Sequence, residues 1–168
     1  NKKILDIGCG PRGSLEWANM TKERIGIDPL ANKYLKLSAK KHKMKYVKAV
    51  SEAIPFKDNY FNVVCSFNSL DHVENLKKTT EEIKRVLKPE GMFLLIVDTH
   101  KTATICEPQS ITWDFIKEYF SNFTVLEQKY FEKHKGKIYQ SLREGIEFNF
   151  NNPKERYGVL TAKLVAQN

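Results

Sequence analysis

The residues best equipped for chemistry stand close to the start of the chain, in Asp6-Ile7-Gly8-Cys9-Gly10-Pro11-Arg12-Gly13, whose glycines follow the pattern G-x-G-x-x-G. Glycine lets a backbone turn sharply and touch a ligand, because it has no Cβ to clash. Asp6 stands two residues before Gly8, where a carboxylate is costly to bury unless it accepts hydrogen bonds or faces a cation. Pro11 removes one N–H from the turn. A dinucleotide pyrophosphate is held by N–H donors at a helix N-terminus, so an acidic strand end and a missing donor point instead to a ligand carrying positive charge. Asp28 lies twenty residues beyond Gly8, where a carboxylate can accept both hydroxyls of a ligand ribose. That spacing alone also fits a nicotinamide dinucleotide, and a strand-terminal Asp28 equally suits capping a helix that starts near Ala31.

These residues need strands to carry them. Ile4, Leu5 and Ile7 form a short apolar run of high β propensity ending in glycines, which reads as a buried strand followed by a tight turn. Ser14 is placed to cap a helix through Leu15-Glu16-Trp17-Ala18, with Glu16 in the first turn where the helix dipole favours a carboxylate. Arg24 to Asp28 reads as a second strand and Lys45 to Val50 as a third. In the lysine-rich segment between them, Lys33, Lys36 and Lys40 share one helical face while Leu30, Tyr34 and Leu37 share another. Phe61 to Phe67 has almost no polar interruption, as a central parallel strand buried on both faces requires. A helix follows over Glu74 to Leu87, stopped by Lys88-Pro89-Glu90-Gly91, and Met92 to Val97 gives a fifth strand. Thr112 to Phe120 is predicted as a helix, Phe123 to Phe131 as a strand and Val159 to Val165 as a closing strand.

Four ordered segments resemble class I S-adenosylmethionine-dependent methyltransferases of the type 11 kind. They are D-I-G-C-G-P at Asp6 to Pro11, S-E-A-I-P-F-K-D-N-Y-F-N-V-V at Ser51 to Val64, L-D-H-V at Leu70 to Val73, and R-V-L-K-P-E-G at Arg85 to Gly91. The resemblance implies a Rossmann-like α/β fold, with a seven-stranded, mostly parallel sheet ordered 3-2-1-4-5-7-6, strand 7 antiparallel and helices on both faces. It implies S-adenosyl-L-methionine as cofactor, with Asp6 close to its ammonium, Asp28 on its ribose, and Gly8, Cys9, Gly10, Pro29 and Asn68 around it. The adenine falls to Ser51 and Glu52, since the family's acid at this place is Val50 here and a later aspartate is Asn62. The loop at the end of the fourth strand is not the N-P-P-Y or D-P-P-Y sequence used on nucleobase amino groups.

Composition bounds the rest. The chain has 168 residues, 41% of them hydrophobic, which suits one domain with a real core. No apolar run approaches the roughly 18 residues of a membrane span and no signal peptide is visible. Cys9, Cys65 and Cys106 are odd in number and lack C-x-x-C spacing, which argues against a disulfide framework or a zinc site and for a reduced, cytoplasmic setting. The net charge of +8 comes almost wholly from lysine, without an arginine-rich or aromatic-interleaved run, so a solvated surface is favoured over a nucleic-acid partner. The chain begins shortly before its first strand, so an N-terminal helical segment usual in the resembling family is expected to be missing. Residues 133–157, with Tyr139, Phe148, Phe150 and the turn Asn151-Asn152-Pro153, form either a lid over the acceptor or a surface hairpin.

The expected reaction is direct displacement at a sulfonium methyl, which needs alignment rather than a metal. A hydroxyl acceptor must lose its proton, and His72 is the best-placed base, with Asp71 beside it to fix the tautomer or to cap the following helix; His100 is the reserve. The acceptor is expected to be a small molecule or a saccharide. Rival readings are a nicotinamide-dependent oxidoreductase, which leaves Asp6, Pro11 and the K-P-E-G segment unexplained, and a catalytically silent cofactor-binding module.

Overall fold

Seven strands form one sheet in the order β3-β2-β1-β4-β5-β7-β6. The computed structural model describes residues 2–21, 23–38, 42–134, 137–152 and 157–167. The strands are β1 (Lys3–Ile7), β2 (Glu23–Asp28), β3 (Lys45–Lys48), β4 (Phe61–Phe67), β5 (Leu87–Asp98), β6 (Phe123–Phe131) and β7 (Val159–Ala166). The first five run parallel and β7 antiparallel to both of its neighbours. This is the Rossmann-like α/β sheet that the sequence resemblance implied.

Successive residues of a strand point to opposite faces, so the apolar strands feed two cores. On one face Leu5, Ile7, Val64, Phe93 and Leu95 pack with Leu76, Ile83 and Val86 of α2 (Leu76–Val86) and Phe115 and Ile116 of α3 (Phe115–Tyr119). On the other face Cys65 packs with Leu15, Met44, Tyr46 and Ala31 of α1 (Ala31–Ser38). Phe61, Phe93, Phe115 and Phe120 are fully buried, each worth about 1.5–3 kcal/mol relative to exposure.

Helix α2 starts where Asn75 Oδ1 accepts the Lys78 N–H at 2.9 Å. It ends at Val86, because Lys88 precedes a proline and is disfavoured in helical geometry. Leu87, expected as the last helical residue, is already extended and paired with Phe61, so β5 begins there and runs through the segment expected only to stop the helix.

Elsewhere the structure corrects the sequence reading. Helix α1 turns Ala31 inward and leaves Leu37 77% exposed, so Leu37 lies off the buried face; Lys40 and Lys41 fall outside the described residues. The predicted helix at Ser14 is a single 3-10 turn, Ser14–Trp17, with no side-chain cap. Glu16 does not serve a helix dipole. It is buried and accepts the Lys43 N–H at 2.7 Å and the Tyr46 hydroxyl at 3.0 Å, with His42 Nδ1 at 3.2 Å. Burial raises its pKa, and these partners outweigh burial and leave it below the usual carboxylate value. Tyr46 in turn accepts the Gly13 N–H at 2.9 Å, so this chain of bonds props up the glycine turn from beneath. Within residues 133–157 a helix α4 (Ile138–Glu144) forms, and Phe148 and Phe150 pack against Trp113. Pro153 falls outside the described residues.

Candidate active site

The site is built at the carboxyl edge of the parallel strands, where α/β sheets bind ligands. Gly8 leaves β1 with φ +64° and lies so close to the next loop that a Cβ there would stand 2.4 Å from Ser69 Cβ, so no other residue fits. The Gly8 and Cys9 N–H groups donate to the Ile27 carbonyl at 3.0 and 3.1 Å, and the Gly10 N–H donates to Asp28 Oδ2 at 3.1 Å. Asp28 Oδ1 accepts the Leu30 N–H at 2.8 Å. The carboxylate that ends β2 therefore fastens the glycine turn and starts the chain toward α1, while lining the cleft beside both.

That cleft, of about 510 Å³, lies between the ends of β1, β2, β3 and β4. Of the residues expected around a cofactor, Gly8, Asp28, Pro29, Ser51, Glu52 and Asn68 line it, together with the apolar Leu30, Ala49 and Val50. Ser51 Oγ bonds Thr79 Oγ1 at 2.9 Å, and Glu52 Oε1 accepts the Asn75 N–H at 2.9 Å, which ties the loop after β3 to the start of α2. Asn68 adopts φ +60°, and its Oδ1 is buried without a hydrogen-bond partner. An unpaired amide oxygen at a cleft wall suits a ligand donor.

Three of the expected cofactor residues are placed otherwise. Asp6 is 1% exposed and sits behind the turn, accepting the Ser14 N–H at 2.9 Å; it is not on the cleft wall. Burial pushes its pKa up to about 7 against the lowering effect of the Ser14 N–H. Cys9 is buried against Gly26, and burial raises its thiol pKa. Gly10 lies off the wall as well, serving through its bond to Asp28. Another hollow, of about 570 Å³, opens on the far side of the turn between Arg12, Trp17, Phe67 and Tyr139 of α4.

His72 also lines the cleft, with its side chain 45% exposed. His72 Nδ1 lies 2.7 Å from the Cys106 carbonyl, which can only accept, so Nδ1 carries the proton and Nε2 is bare in the neutral ring. The tautomer is set by Cys106 and not by Asp71, whose Oδ1 is 3.8 Å from Nε2. Nor does Asp71 cap α2, a task that Asn75 performs. Asp71 is fully buried, with neither carboxylate oxygen hydrogen-bonded, and burial raises its pKa despite the His72 charge. His100, just beyond β5, pairs with Ile111 in an isolated bridge and closes the loop that carries Cys106. Sequence reasoning missed Glu107 on that loop; no motif surrounds it.

A family profile described as a methyltransferase domain matches residues 5–95, more than half of the chain. The chain belongs to the methyltransferase domain family. Within it, the chain is 34% identical over 109 residues to a sterol 4-C-methyltransferase of Caenorhabditis elegans, covering 61% of this chain and 32% of that protein. It is 29% identical over 121 residues to the chloroplastic tocopherol O-methyltransferase of Arabidopsis thaliana, covering 67% and 35%. The chain thus spans about a third of the length of these curated relatives. The crystal structure of YcgJ from Bacillus subtilis superposes with a TM-score of 0.73 at 16% identity, covering 100% of this chain and 93% of that one, and shares the fold. For a methyltransferase domain, S-adenosylmethionine is the implied methyl donor. No helix among the described residues is long and apolar enough to cross a membrane.

Proposed function

We propose that this methyltransferase domain binds S-adenosylmethionine in the cleft at the sheet edge and transfers its methyl group to a small-molecule or saccharide acceptor approaching past His72. The observation that carries the reading is the convergence of Gly8, Asp28 and Asn68 on one cleft. In this reading the Asp28 carboxylate holds the ribose hydroxyls and the adenine lies between Leu30 and Val50 near Ser51 and Glu52. The unpaired Asn68 Oδ1 takes a donor from the methionine end, and Asp6 acts on the ammonium from behind the turn through its charge. Displacement at the sulfonium releases a neutral thioether, so the domain's work is to align the acceptor atom with the methyl carbon and sulfur. His72 and Asp71 are the acceptor-side residues.

A small acceptor is supported by the lysine-dominated, arginine-poor surface and by relatives named for a sterol and a tocopherol. The test supplies methyl-labelled S-adenosylmethionine and fractionated cell extract to the wild-type chain and to His72→Ala. Label is expected in the small-molecule or saccharide fraction, with transfer about a hundredfold slower in the variant. Label in RNA or protein contradicts the acceptor class, and normal transfer by His72→Ala removes that residue from the reaction.

A further inference from the structure

We propose that Asp71, His72 and Glu107 form a binding site for one divalent transition-metal cation of the zinc or manganese kind at the mouth of the cleft. The three donor atoms lie within 4.8 Å of one another. All three are acceptors, since a Cys106 carbonyl fixes the His72 proton on Nδ1 and leaves Nε2, 3.8 Å from Asp71 Oδ1, with a free lone pair. Asp71 is fully buried and both its oxygens lack any donor, whereas buried carboxylates are ordinarily paired or metal-bound. His100 Nε2 is likewise buried without a hydrogen-bond partner.

The fold brings these groups together from separate segments. Asp71 and His72 sit on the turn after β4, and Glu107 on the loop after β5. That loop is latched down by the Cys106 carbonyl, by the Gln109 N–H donating to the Asp71 carbonyl at 3.2 Å, and by Gln109 Nε2 donating to the Glu74 carbonyl at 2.9 Å. A tight turn then presents Glu107, with the Thr104 N–H donating to the Glu107 carbonyl and the Glu107 N–H donating to Thr104 Oγ1, each at 2.9 Å.

Tetrahedral bonds of about 2.1 Å place ligand atoms about 3.4 Å apart, so a pair at the 4.8 Å limit closes by more than about one ångström on binding. Two carboxylates and one imidazole suit zinc or manganese better than magnesium or calcium, which prefer oxygen alone. Three protein ligands leave positions open toward the cleft for an oxygen of the acceptor. That role rests on the methyl transfer proposed above; the site itself does not. It assigns His72 to the cation, in place of the free base that the sequence suggests.

The test is calorimetric titration of the metal-stripped full chain with Zn²⁺, with Co²⁺ absorption as a second readout. Asp71→Asn and Glu107→Gln are compared with wild type, and Glu107→Gln, on a half-exposed loop residue, leaves the fold intact. One equivalent should bind, with affinity at least tenfold weaker in both variants. Absence of binding by wild type, or equal binding by both variants, overturns the site. S-adenosylhomocysteine is titrated into the same samples. Its binding without Zn²⁺ binding defeats the metal site alone, and Zn²⁺ binding without it defeats the cofactor reading alone.

Discussion

Asp28 bears the most structural and chemical demands of any single residue. Its carboxylate accepts from Gly10 and Leu30 while lining the cleft, so removing it loosens the turn and, in the proposed binding mode, leaves ribose hydroxyls unpaired. Asp28→Ala should cost about 1.5–3 kcal/mol of S-adenosylhomocysteine affinity, or about ten- to a hundredfold; unchanged affinity in calorimetry refutes the role. Asp6 makes a different prediction, because burial raises its pKa from 3.8 to about 7 in the folded chain. Its neutral form is favoured by folding, so its stabilising contribution is complete below the unfolded value near 3.8 and is lost as pH rises through about 7. The difference in melting temperature between wild type and Asp6→Asn, both ligand-free, should therefore fall from pH 4 to pH 8. A difference flat in pH contradicts this. Asp28 was legible because a motif spacing marks it. The burial of Asp6, the left-handed Asn68 and the approach of Glu107 to Asp71 were not, since each depends on which loops the sheet brings together.

At the scale of elements, the segment after the cleft-lining Ser51 and Glu52 is clamped to α2 largely through Arg85. Arg85 of α2 donates to the carbonyls of Ile54 and Phe56 at 2.9 and 2.8 Å, to Asp58 at 2.8 Å and to Glu82, which itself accepts the Ile54 N–H at 2.7 Å. Arg85→Ala should lower stability by about 1.5–3 kcal/mol in denaturant unfolding, since it strands two carbonyls and a half-buried carboxylate. A loss below about 0.5 kcal/mol, as at an ordinary surface site, contradicts the clamp. The strands were legible because Phe61 to Phe67 and Phe123 to Phe131 are apolar or β-prone over most of their length, and the structure reproduces both ranges. The helices were less so. Ser14–Trp17 has a helical beginning in sequence but is held as one 3-10 turn by the bonds from Glu16 to Tyr46 and Lys43. Helix α4 was not read at all, because its inward contacts are few, Ile138 and Ser141.

At the scale of the whole molecule, the order β3-β2-β1-β4-β5-β7-β6 followed from resemblance of four motifs and not from periodicity, which fixes elements but not their neighbours. That order puts the glycine turn after β1 between Asp28 of β2 and the Asn68 loop of β4, although the three are far apart in sequence. Dinucleotide-binding enzymes share this general edge geometry, so the proposed distinction is chemical: a cofactor carrying a cation rather than a pyrophosphate, for which Pro11 supplies no N–H. The most direct test is the melting temperature of the full chain with S-adenosylhomocysteine, NAD and NADP, each at the same excess. A ligand that binds only the folded state stabilises it by mass action, about 2.7 kcal/mol at a hundred times its Kd. The account predicts a rise of several degrees with S-adenosylhomocysteine and none with either dinucleotide; stabilisation by NAD or NADP without stabilisation by S-adenosylhomocysteine would contradict it.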